Sequence, residues 1–397
     1  LYENYGGFMD RTRLRTQIIA ENILSGKRYF TEQVYFLSYD INNISENFFK
    51  IGHSLKYETK YYKFFQVRED EYFSDSYIDK DISDRSNFKT LENNLFFEYN
   101  RPFIGNLKLN FKQISWNYFF ENDEYLEKDS IDQKINENQF SYDLTWRKKI
   151  LGFDLKSRIY NSFKEKYSSK YYLVDISKKV FNNFNILSKY QFRSIPPNFN
   201  FSLYQSDYID YNWKNLDLQN QSFSTFSIKF EHLKWGYLVG EWNKLNKYMY
   251  FLNITSLTSK NEKMQILPTQ QNEEIEYFKI RFFQNLEFGK FSFVNTVQYQ
   301  KVNQVDDPNL SFTPLALNVP EWLTRNTIAY STDLFNKALY IQTGFSFKFF
   351  TDFYADQYNP LLGEFVSQNN VKIGEYPLVD FFLNAKVQQT RVFLKIE

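Results

Sequence analysis

Lysine and arginine residues that alternate with apolar residues are the side chains of this sequence best suited to chemistry. Eight of them are the candidate site residues: Arg147, Lys156, Arg158, Lys229, Lys279, Arg281, Lys348 and Lys386. In a β-strand every second side chain points to the same face, so these cations share a face with carboxylates such as Asp143 and Glu231. Basic residues outnumber acidic ones on this face. Fixed charges that line a water-filled passage select ions by their sign.

Residues for enzymatic catalysis or metal binding are few. The chain has no cysteine and two histidines, His53 and His232, and both fall in phase with apolar neighbours. We interpret them as packed or membrane-interface residues rather than catalytic bases, and no nucleophile elbow accompanies them. The acidic stretch 69–84 lacks the regular spacing of a Ca²⁺ loop, so a solvated loop is favoured over a calcium site. We expect no enzymatic activity, no cofactor and no metal.

The composition excludes several other classes of protein. Among 397 residues, 43% are apolar and 21% aromatic, with 44 Phe and 32 Tyr, so there is too much apolar surface for a disordered chain. The 48 Lys and Arg balance 47 Asp and Glu, and we expect no nucleic-acid partner. No apolar run is long enough for a transmembrane helix. The start lacks a signal peptide, so the protein is either cytoplasmic or given without its signal peptide.

Two-residue periodicity runs along the whole chain and predicts strands with one apolar and one polar face. The connections alternate between short turns, such as 148–152, and long polar links, such as 193–221 and 350–378. This alternation is typical of an up-and-down meander, and no linker interrupts it, so residues 1–397 are predicted to form a single domain. The predicted strands are 13–24, 35–41, 49–65, 91–99, 107–118, 140–147, 153–160, 172–177, 184–192, 222–232, 235–254, 277–286, 290–300, 322–332, 338–349, 379–388 and 391–397.

Three local features qualify this assignment. Residues 235–254 fit one strand or two. The phase of the alternation breaks between Phe111 and Ile114, which indicates a β-bulge. Large aromatic residues near strand ends are predicted to lie at a membrane interface; they are Trp116, Tyr118, Trp146 and Trp322.

Lipid is the solvent that best fits the apolar face. Tilted strands of about ten residues span a hydrocarbon layer of roughly 25–30 Å. A soluble sandwich or a β-helix is the alternative, but so long a meander would leave edges to protect, whereas a closed barrel has none. The sequence therefore predicts an all-β, transmembrane, antiparallel up-and-down β-barrel. The 17 predicted strands imply about 18, with the last one missing beyond Glu397, or 16 if 35–41 does not span.

The segment Asp352–Glu397 resembles the closing region of the putative porins of Bacteroidota. The likeness covers about 45 residues, and upstream of it only the general character agrees. The resemblance implies a channel-forming barrel of the Gram-negative outer membrane, with a further strand beyond residue 397. The matching residues are Tyr354, Tyr358, Asn359, Pro360, Leu362, Gly363, Phe365, Lys372, Gly374, Tyr376, Pro377, Asp380, Phe382, Asn384, Lys386, Arg391, Phe393, Lys395 and Glu397.

Two functions fit this barrel. The first is a porin-like channel for passive diffusion of small hydrophilic solutes across the bacterial outer membrane, in which the eight cations named above line the pore and favour anions. In the alternative interpretation these cations have no role in selectivity, and they only solvate the wall and pair with carboxylates. The second function is a non-transporting subunit or scaffold of an outer-membrane secretion or assembly complex. Expected partners are outer-membrane lipid and lipopolysaccharide, and for the scaffold other outer-membrane or periplasmic proteins. A TonB-dependent transporter needs a plug domain ahead of its barrel, whereas strands are predicted here from residue 13, so we set it aside.

Overall fold

Sixteen antiparallel strands form one large sheet in which each strand pairs with the next spanning strand of the chain. The structure is a computed structural model that describes residues 20–38, 47–70, 72–121, 134–164, 167–181, 183–254, 265–305 and 315–396. The sheet strands are β1 (Glu21–Ser38), β2 (Phe48–Arg68), β3 (Lys80–Arg101), β4 (Gly105–Phe120), β5 (Lys134–Ile150), β6 (Phe153–Ser162), β7 (Lys170–Phe181), β8 (Phe184–Ile195), β11 (Gln221–His232), β12 (Gly236–Asn246), β15 (Ile275–Phe288), β16 (Phe291–Asn303), β17 (Trp322–Leu334), β18 (Leu339–Phe350), β23 (Leu378–Val387) and β24 (Thr390–Ile396).

The remaining elements are short and lie in the long links between sheet strands. They form small sheets of two to four strands that are separate from the large one. Among the described residues no helix is long and apolar enough to cross a membrane. These elements are α1 (Phe199–Ser202), β9 (Leu203–Tyr204), β10 (Trp213–Lys214), β13 (Met249–Asn253), β14 (Ile266–Gln270), β19 (Phe353–Tyr354), β20 (Gln357–Asn359), β21 (Glu364–Ser367) and β22 (Lys372–Ile373).

Short and long connections alternate along the sheet, which confirms the predicted meander. Short turns such as 102–104, 151–152 and 388–389 lie at one end of the strands, which we call the short-turn end. The longer links lie at the opposite, long-link end. Four of these links matter below: 69–79, 196–220, 247–274 and 351–377.

The two faces of the sheet differ as the periodicity predicts. Phe226, Trp242 and Phe278 are cross-strand neighbours on one face, and they are 42%, 47% and 40% exposed. On the opposite face, Glu241 and Lys279 are neighbours and form an ion pair of 2.5 Å. Large apolar residues are therefore exposed along the face that we call outer, while the charged residues are directed to the inner face. This is the reverse of a water-soluble sheet, whose apolar face is covered.

The sheet curves around its inner face. Link 351–377 follows β18, near one edge of the strand order, whereas β2 lies near the other edge. The Tyr62 hydroxyl of β2 nevertheless donates a hydrogen bond to the Pro360 carbonyl of that link. A link from one end of the strand order thus contacts a strand near the other end across the inner side. Within the described residues, β1 and β24 are the two edge strands of the sheet.

The described part of the chain has 16 sheet strands rather than 17, as in the alternative in which 35–41 is not a separate spanning strand. Predicted strand 35–41 is the end of β1, which also includes the end of predicted strand 13–24; residues 13–19 lie outside the described residues. Polar residues between 24 and 34 interrupt the apolar alternation, but the pairing of β1 with β2 continues without a break. Predicted strand 235–254 is two strands, separated where Lys247 adopts a left-handed φ of 55°.

The predicted β-bulge near Phe111 is also wrong. Strand β4 pairs with β3 and β5 without any shift of register. The phase changes because Ile114 lies on the inner face, which is apolar from this level to the long-link end. Trp116 and Tyr118 lie on the same face and are 9% and 4% exposed, so they are not at a membrane interface. Trp322, by contrast, lies on the outer face and is 48% exposed.

Adjacent residues of β11 test which face meets lipid. A charge on the lipid face near the middle of a membrane strand costs about 2–4 kcal/mol, whereas one on the inner face is tolerated. We expect Phe226→Arg to lower the free energy of unfolding in lipid vesicles by about that amount. The matched control is Ser227→Arg, which places the same side chain beside Glu241 on the inner face. Urea titration of the two variants measures the difference, and equal losses would contradict the assignment of the faces.

Candidate functional site: the charged inner wall and the links that cover it

All eight cations predicted to line a pore lie on the inner face, but most of them are engaged by partners. Four form ion pairs with carboxylates on neighbouring positions, and Arg281 donates to the Gln298 side chain at 2.7 Å. Arg147, Lys156 and Lys386 make no ion pair within the described part of the chain. The four pairs are Arg158–Asp143 at 2.6 Å, Lys229–Glu231 at 2.5 Å, Lys279–Glu241 at 2.5 Å and Lys348–Asp380 at 2.6 Å.

One further ion-pair cluster was missed in part by the sequence reasoning. Glu58 of β2 is 6% exposed and forms ion pairs with three cations: Lys56 at 2.8 Å, Lys60 at 2.6 Å and Arg28 at 3.1 Å. Arg28 was missed because it lies in the polar part of β1 that was read as a connection. Lys189 and Arg325 share the same face, and their phase within predicted strands was a sufficient signal to find them.

The pairing changes the electrostatics that the sequence suggested. A cation held against a carboxylate adds little net field to the space in front of it. Cations of the inner face that lie close to short turns and form no ion pair with a described residue include Arg147 and Lys156, beside turn 151–152, and Lys386 and Arg391, beside turn 388–389. These four cations place uncompensated positive charge beside these two short turns.

The long-link end of the inner face is apolar and is covered by folded links. We call this cluster of buried residues the link core. Its wall residues come from β2 to β5, and they are Phe64, Ile82, Trp116, Tyr118, Phe120 and Ile135. Its link residues are Phe73, Leu203, Tyr204, Tyr208, Tyr211, Trp213, Phe251, Ile266, Leu361, Leu362 and Val366. Because the wall residues point inward, the four links that contact them lie on the inner side of the sheet.

Hydrogen bonds fix link 196–220 to the wall at Asp84. One oxygen of the Asp84 carboxylate accepts the Ser206 hydroxyl at 2.5 Å, and the other accepts the Asp207 backbone N–H at 2.9 Å. The Asp207 carboxylate in turn accepts the Ser83 backbone N–H at 3.0 Å. Asp84 is 2% exposed, so a buried carboxylate with two donors holds the link in one register.

The residues that carry the porin resemblance build the link core as well as the wall. Asn359 is fully buried, donates to the Tyr211 hydroxyl at 3.2 Å and accepts the Leu362 N–H at 3.0 Å. Gly363 has a left-handed φ of 67°, and a Cβ there would lie 2.8 Å from the Tyr62 ring. The segment 359–363 is therefore a tight turn that is fitted against β2. The prediction of a polar link over 350–378 is wrong for this turn, and its apolar Leu361 and Leu362 are the sequence signal for burial.

The other candidate residues are placed away from any catalytic arrangement. His53 is exposed on the outer face, and His232 stacks on Trp235 with ring centroids 4.3 Å apart. In the acidic stretch 69–84, Asp70 accepts the Tyr72 N–H at 2.9 Å. Among the described residues no three carboxylates or histidines are grouped closely enough to hold a metal ion.

Two carboxyl groups of the link core are shifted toward their neutral form. Burial raises the pKa of Asp207, and the hydrogen bond from the Ser83 N–H offsets part of this rise. Burial also raises the pKa of Glu364, partly offset by the Asn200 amide, which donates to it at 2.9 Å. A carboxyl whose pKa is raised by folding favours the folded link most at low pH.

Comparison with known proteins gives a family and a fold. The family model described as "Putative porin" matches residues 4–397. No curated protein matches the sequence. Among solved structures, the siderophore receptor PirA from Acinetobacter baumannii is similar at TM-score 0.59 and 11% identity, with 93% of this chain and 58% of the receptor covered.

Two further solved structures have the same fold. The ferric enterobactin receptor PfeA from Pseudomonas aeruginosa, in a mutant form, is similar at TM-score 0.58 and 9% identity, covering 93% of this chain and 60% of that one. The FrpB iron transporter from Neisseria meningitidis is similar at TM-score 0.56 and 11% identity, covering 95% and 65%. This chain thus spans about three-fifths of the length of these proteins, and the likeness shows the barrel fold.

Gly363 tests whether the link core depends on its tight turn. Gly363→Ala adds both the cost of a left-handed alanine and a clash with Tyr62, and we expect it to destabilise the link core by about 1–3 kcal/mol. The control is Gly289→Ala, at a left-handed glycine with a φ of 59° and no atom within 4 Å of the added Cβ. Hydrogen–deuterium exchange of residues 203–213 should speed up in the first variant alone. Unchanged exchange in both would mean that the turn does not hold the links.

Asp207 makes the link core sensitive to pH. The unfolded link releases this proton near the ordinary pKa, whereas the packed link retains it to higher pH. The contribution to stability is therefore full below the ordinary pKa and declines as pH rises through the raised pKa. We expect amides of residues 203–211 to become better protected as pH falls through the raised pKa toward the ordinary pKa of aspartate, after correction for intrinsic exchange, and Asp207→Asn to weaken this trend. The control Asp210→Asn, at an exposed carboxylate of the same link, should keep the trend; if it abolishes the trend equally, Asp207 is not the responsible group.

Proposed function

The chain belongs to the Putative porin family, and we propose that it lets small hydrophilic solutes cross the bacterial outer membrane by passive diffusion. The family and the barrel fold place the chain in the outer membrane, as a channel or transporter. The proposal adds the mode of transport and the class of solute. It rests on one observation, which is the charged inner wall.

The inner wall is built for contact with water. Between the link core and the short turns, ion pairs such as Arg158–Asp143 and Lys279–Glu241 face inward from successive strands. Charged groups have a large cost of burial without water, so a wall with this many of them fits a wet interior. Lys279 keeps 18% of its side-chain surface accessible and Arg158 keeps 41%, which is consistent with partial hydration.

The link core sets the size of solute in this proposal. It occupies the inner side next to β2–β5 at the long-link end, so a solute passes beside packed aromatic side chains rather than through a wide opening. Its wall and link residues are held by hydrogen bonds as well as by apolar packing, for instance from the Tyr204 hydroxyl to the Leu361 carbonyl at 2.6 Å. A passage narrowed in this way admits small solutes and excludes large ones.

Anions are the preferred solutes in this proposal. The paired cations of the wall contribute little net charge, whereas Arg147, Lys156, Lys386 and Arg391 face the short-turn end without a carboxylate partner in the described residues. A mouth lined by unpaired cations concentrates anions and repels cations.

A non-transporting barrel is the second candidate, and the link core is the observation that favours it. Large side chains such as Tyr208, Tyr211 and Phe73 are fully buried there, which is the packing expected of a filled interior. In this reading the barrel is a subunit or scaffold of an outer-membrane complex, and its exposed outer aromatic residues contact other proteins in part.

Electrical recording in planar bilayers distinguishes the two functions. We expect open-channel current. In a KCl gradient we expect a reversal potential whose sign shows that chloride permeates more readily than potassium. Because Lys386 and Arg391 are unpaired, Lys386→Gln combined with Arg391→Gln should move that potential toward zero. The control is Lys234→Gln, which removes a lysine from an exposed short turn.

Three results would change the conclusion. A cation-selective current would remove the proposed preference for anions. The absence of current from correctly folded protein, together with proteins that stably co-purify with it, would favour the scaffold. An equal effect of Lys234→Gln would assign the selectivity to diffuse surface charge instead of the inner cations.

A further inference from the structure

A depression of about 610 Å³ opens at the short-turn end, against the inner face of β3 to β7. Its lining includes five basic residues, Arg101, Arg147, Lys148, Lys149 and Lys156, but only two acidic ones, Asp154 and Asp175. This excess of positive charge distinguishes the depression from parts of the wall where carboxylates pair with the cations, such as Arg158–Asp143 and Lys348–Asp380.

Some of the basic residues are already engaged. Lys148 donates to the Phe103 carbonyl and lies over the Phe103 ring at 5.2 Å. Lys149 pairs with Asp154 at 3.7 Å. Arg147 and Lys156 have neither an ion pair nor a side-chain hydrogen bond with any described residue. They are the two cations of the depression that remain available for a ligand.

Arg147 and Lys156 are directly opposite each other on adjacent strands β5 and β6. Like charges in this position repel and destabilise a sheet. The next residue in the row is Asp175, which lies opposite both Lys156 and Lys189 but forms no ion pair within 4.0 Å with either. One row away toward the long-link end, Arg158 is held by two hydrogen bonds to Asp143, at 2.8 Å and 2.6 Å. The neighbouring cation Arg158 is thus neutralised by a carboxylate, whereas Arg147 and Lys156 are not neutralised by any described residue.

We propose that the depression is a binding site for small solutes that carry a phosphate group. An arginine fork and a lysine ammonium, side by side and both free, match the several oxygens of a phosphate. An anion between them would turn their repulsion into attraction. The volume exceeds that of a bare phosphate and leaves room for an organic part, which Asn100 and Ser177 of the lining can contact through polar groups. This inference deepens the proposed function, because it names a class of anion and a place where it pauses.

Direct binding to the detergent-solubilised full chain tests the site. The probes are glucose 6-phosphate, inorganic phosphate and glucose, and isothermal titration calorimetry measures the binding of each. We expect both phosphates to bind and glucose not to bind. Arg147→Gln and Lys156→Gln should each weaken phosphate binding about tenfold or more, the loss typical of a charged hydrogen-bonding partner. Arg147→Lys should lie between the wild type and Arg147→Gln, because it keeps the charge but loses the fork.

Lys234→Gln is the matched control, since it removes a cation from the same end of the sheet but outside the depression. It should leave binding within about twofold of the wild type, the range expected for a screened surface charge. Binding that is absent, that survives Arg147→Gln and Lys156→Gln, or that falls equally in Lys234→Gln overturns the site. All variants are first checked for the cooperative unfolding of the wild type.

Electrical recording separates the failure of this site from the failure of the proposed function. Glucose 6-phosphate should reduce the chloride current of the wild type but not that of Lys156→Gln. Current without phosphate binding would support the proposed channel and contradict the proposed site. Phosphate binding without current would support the proposed site and contradict the proposed channel.

Discussion

A β-strand has two faces, and in this chain the two faces must meet different surroundings. The backbone N–H and C=O groups pair between neighbours from β1 to β24, which leaves only side chains to decide what each face contacts. Large apolar residues such as Phe226 and Trp242 take the outer face and remain exposed there. Most of the charged residues of the strands, including all eight candidate cations, are directed to the inner face. The crowding of charge on that face follows from the same alternation, and ion pairs such as Lys348–Asp380 make it tolerable.

The inner face is divided along the strands into a charged zone and an aromatic zone. Near the short turns it carries paired and unpaired charges, and near the long links it carries the wall residues of the link core. Tyrosine and tryptophan suit the second zone, because they bury large rings while their hydroxyl or N–H group finds a partner. The Tyr118 hydroxyl, for example, donates to the Asn200 side chain at 2.9 Å, and the Trp213 N–H donates to the Asn200 carbonyl at 2.8 Å. The links are therefore held as firmly as a small protein core, although they contain few regular elements.

Local periodicity was enough to predict the barrel, because the pattern of each strand depends on its own two faces. It located β6, β11, β16 and β18 closely, and it placed all eight candidate cations on one face. It failed where a contact comes from far along the chain. Ile114 and Trp116 looked like a bulge and an interface belt, because link residues that cover this part of the wall, such as Tyr167 and Phe199, lie more than 50 positions away from Trp116. In the same way, the local sequence does not predict that Arg158 pairs with a carboxylate while Arg147 pairs with none of the described ones, because this pairing depends on the register of β5 with β6.

The difference between the two ends follows from the lengths of the connections. A two-residue turn such as 151–152 cannot fold back over the sheet, so cations beside it stay uncovered. A link such as 196–220 is long enough to enter the interior, and the cost of closing a longer loop grows slowly with its length. The meander places all short turns on one side, and it thereby leaves Arg147 and Lys156 open at that side while the aromatic zone is covered at the other. A solute that moves along the inner wall would meet packed rings, then neutralised ion pairs, and then uncompensated positive charge. In the proposed channel, the short-turn end selects the sign of the charge that passes, and the long-link end limits the size of the solute.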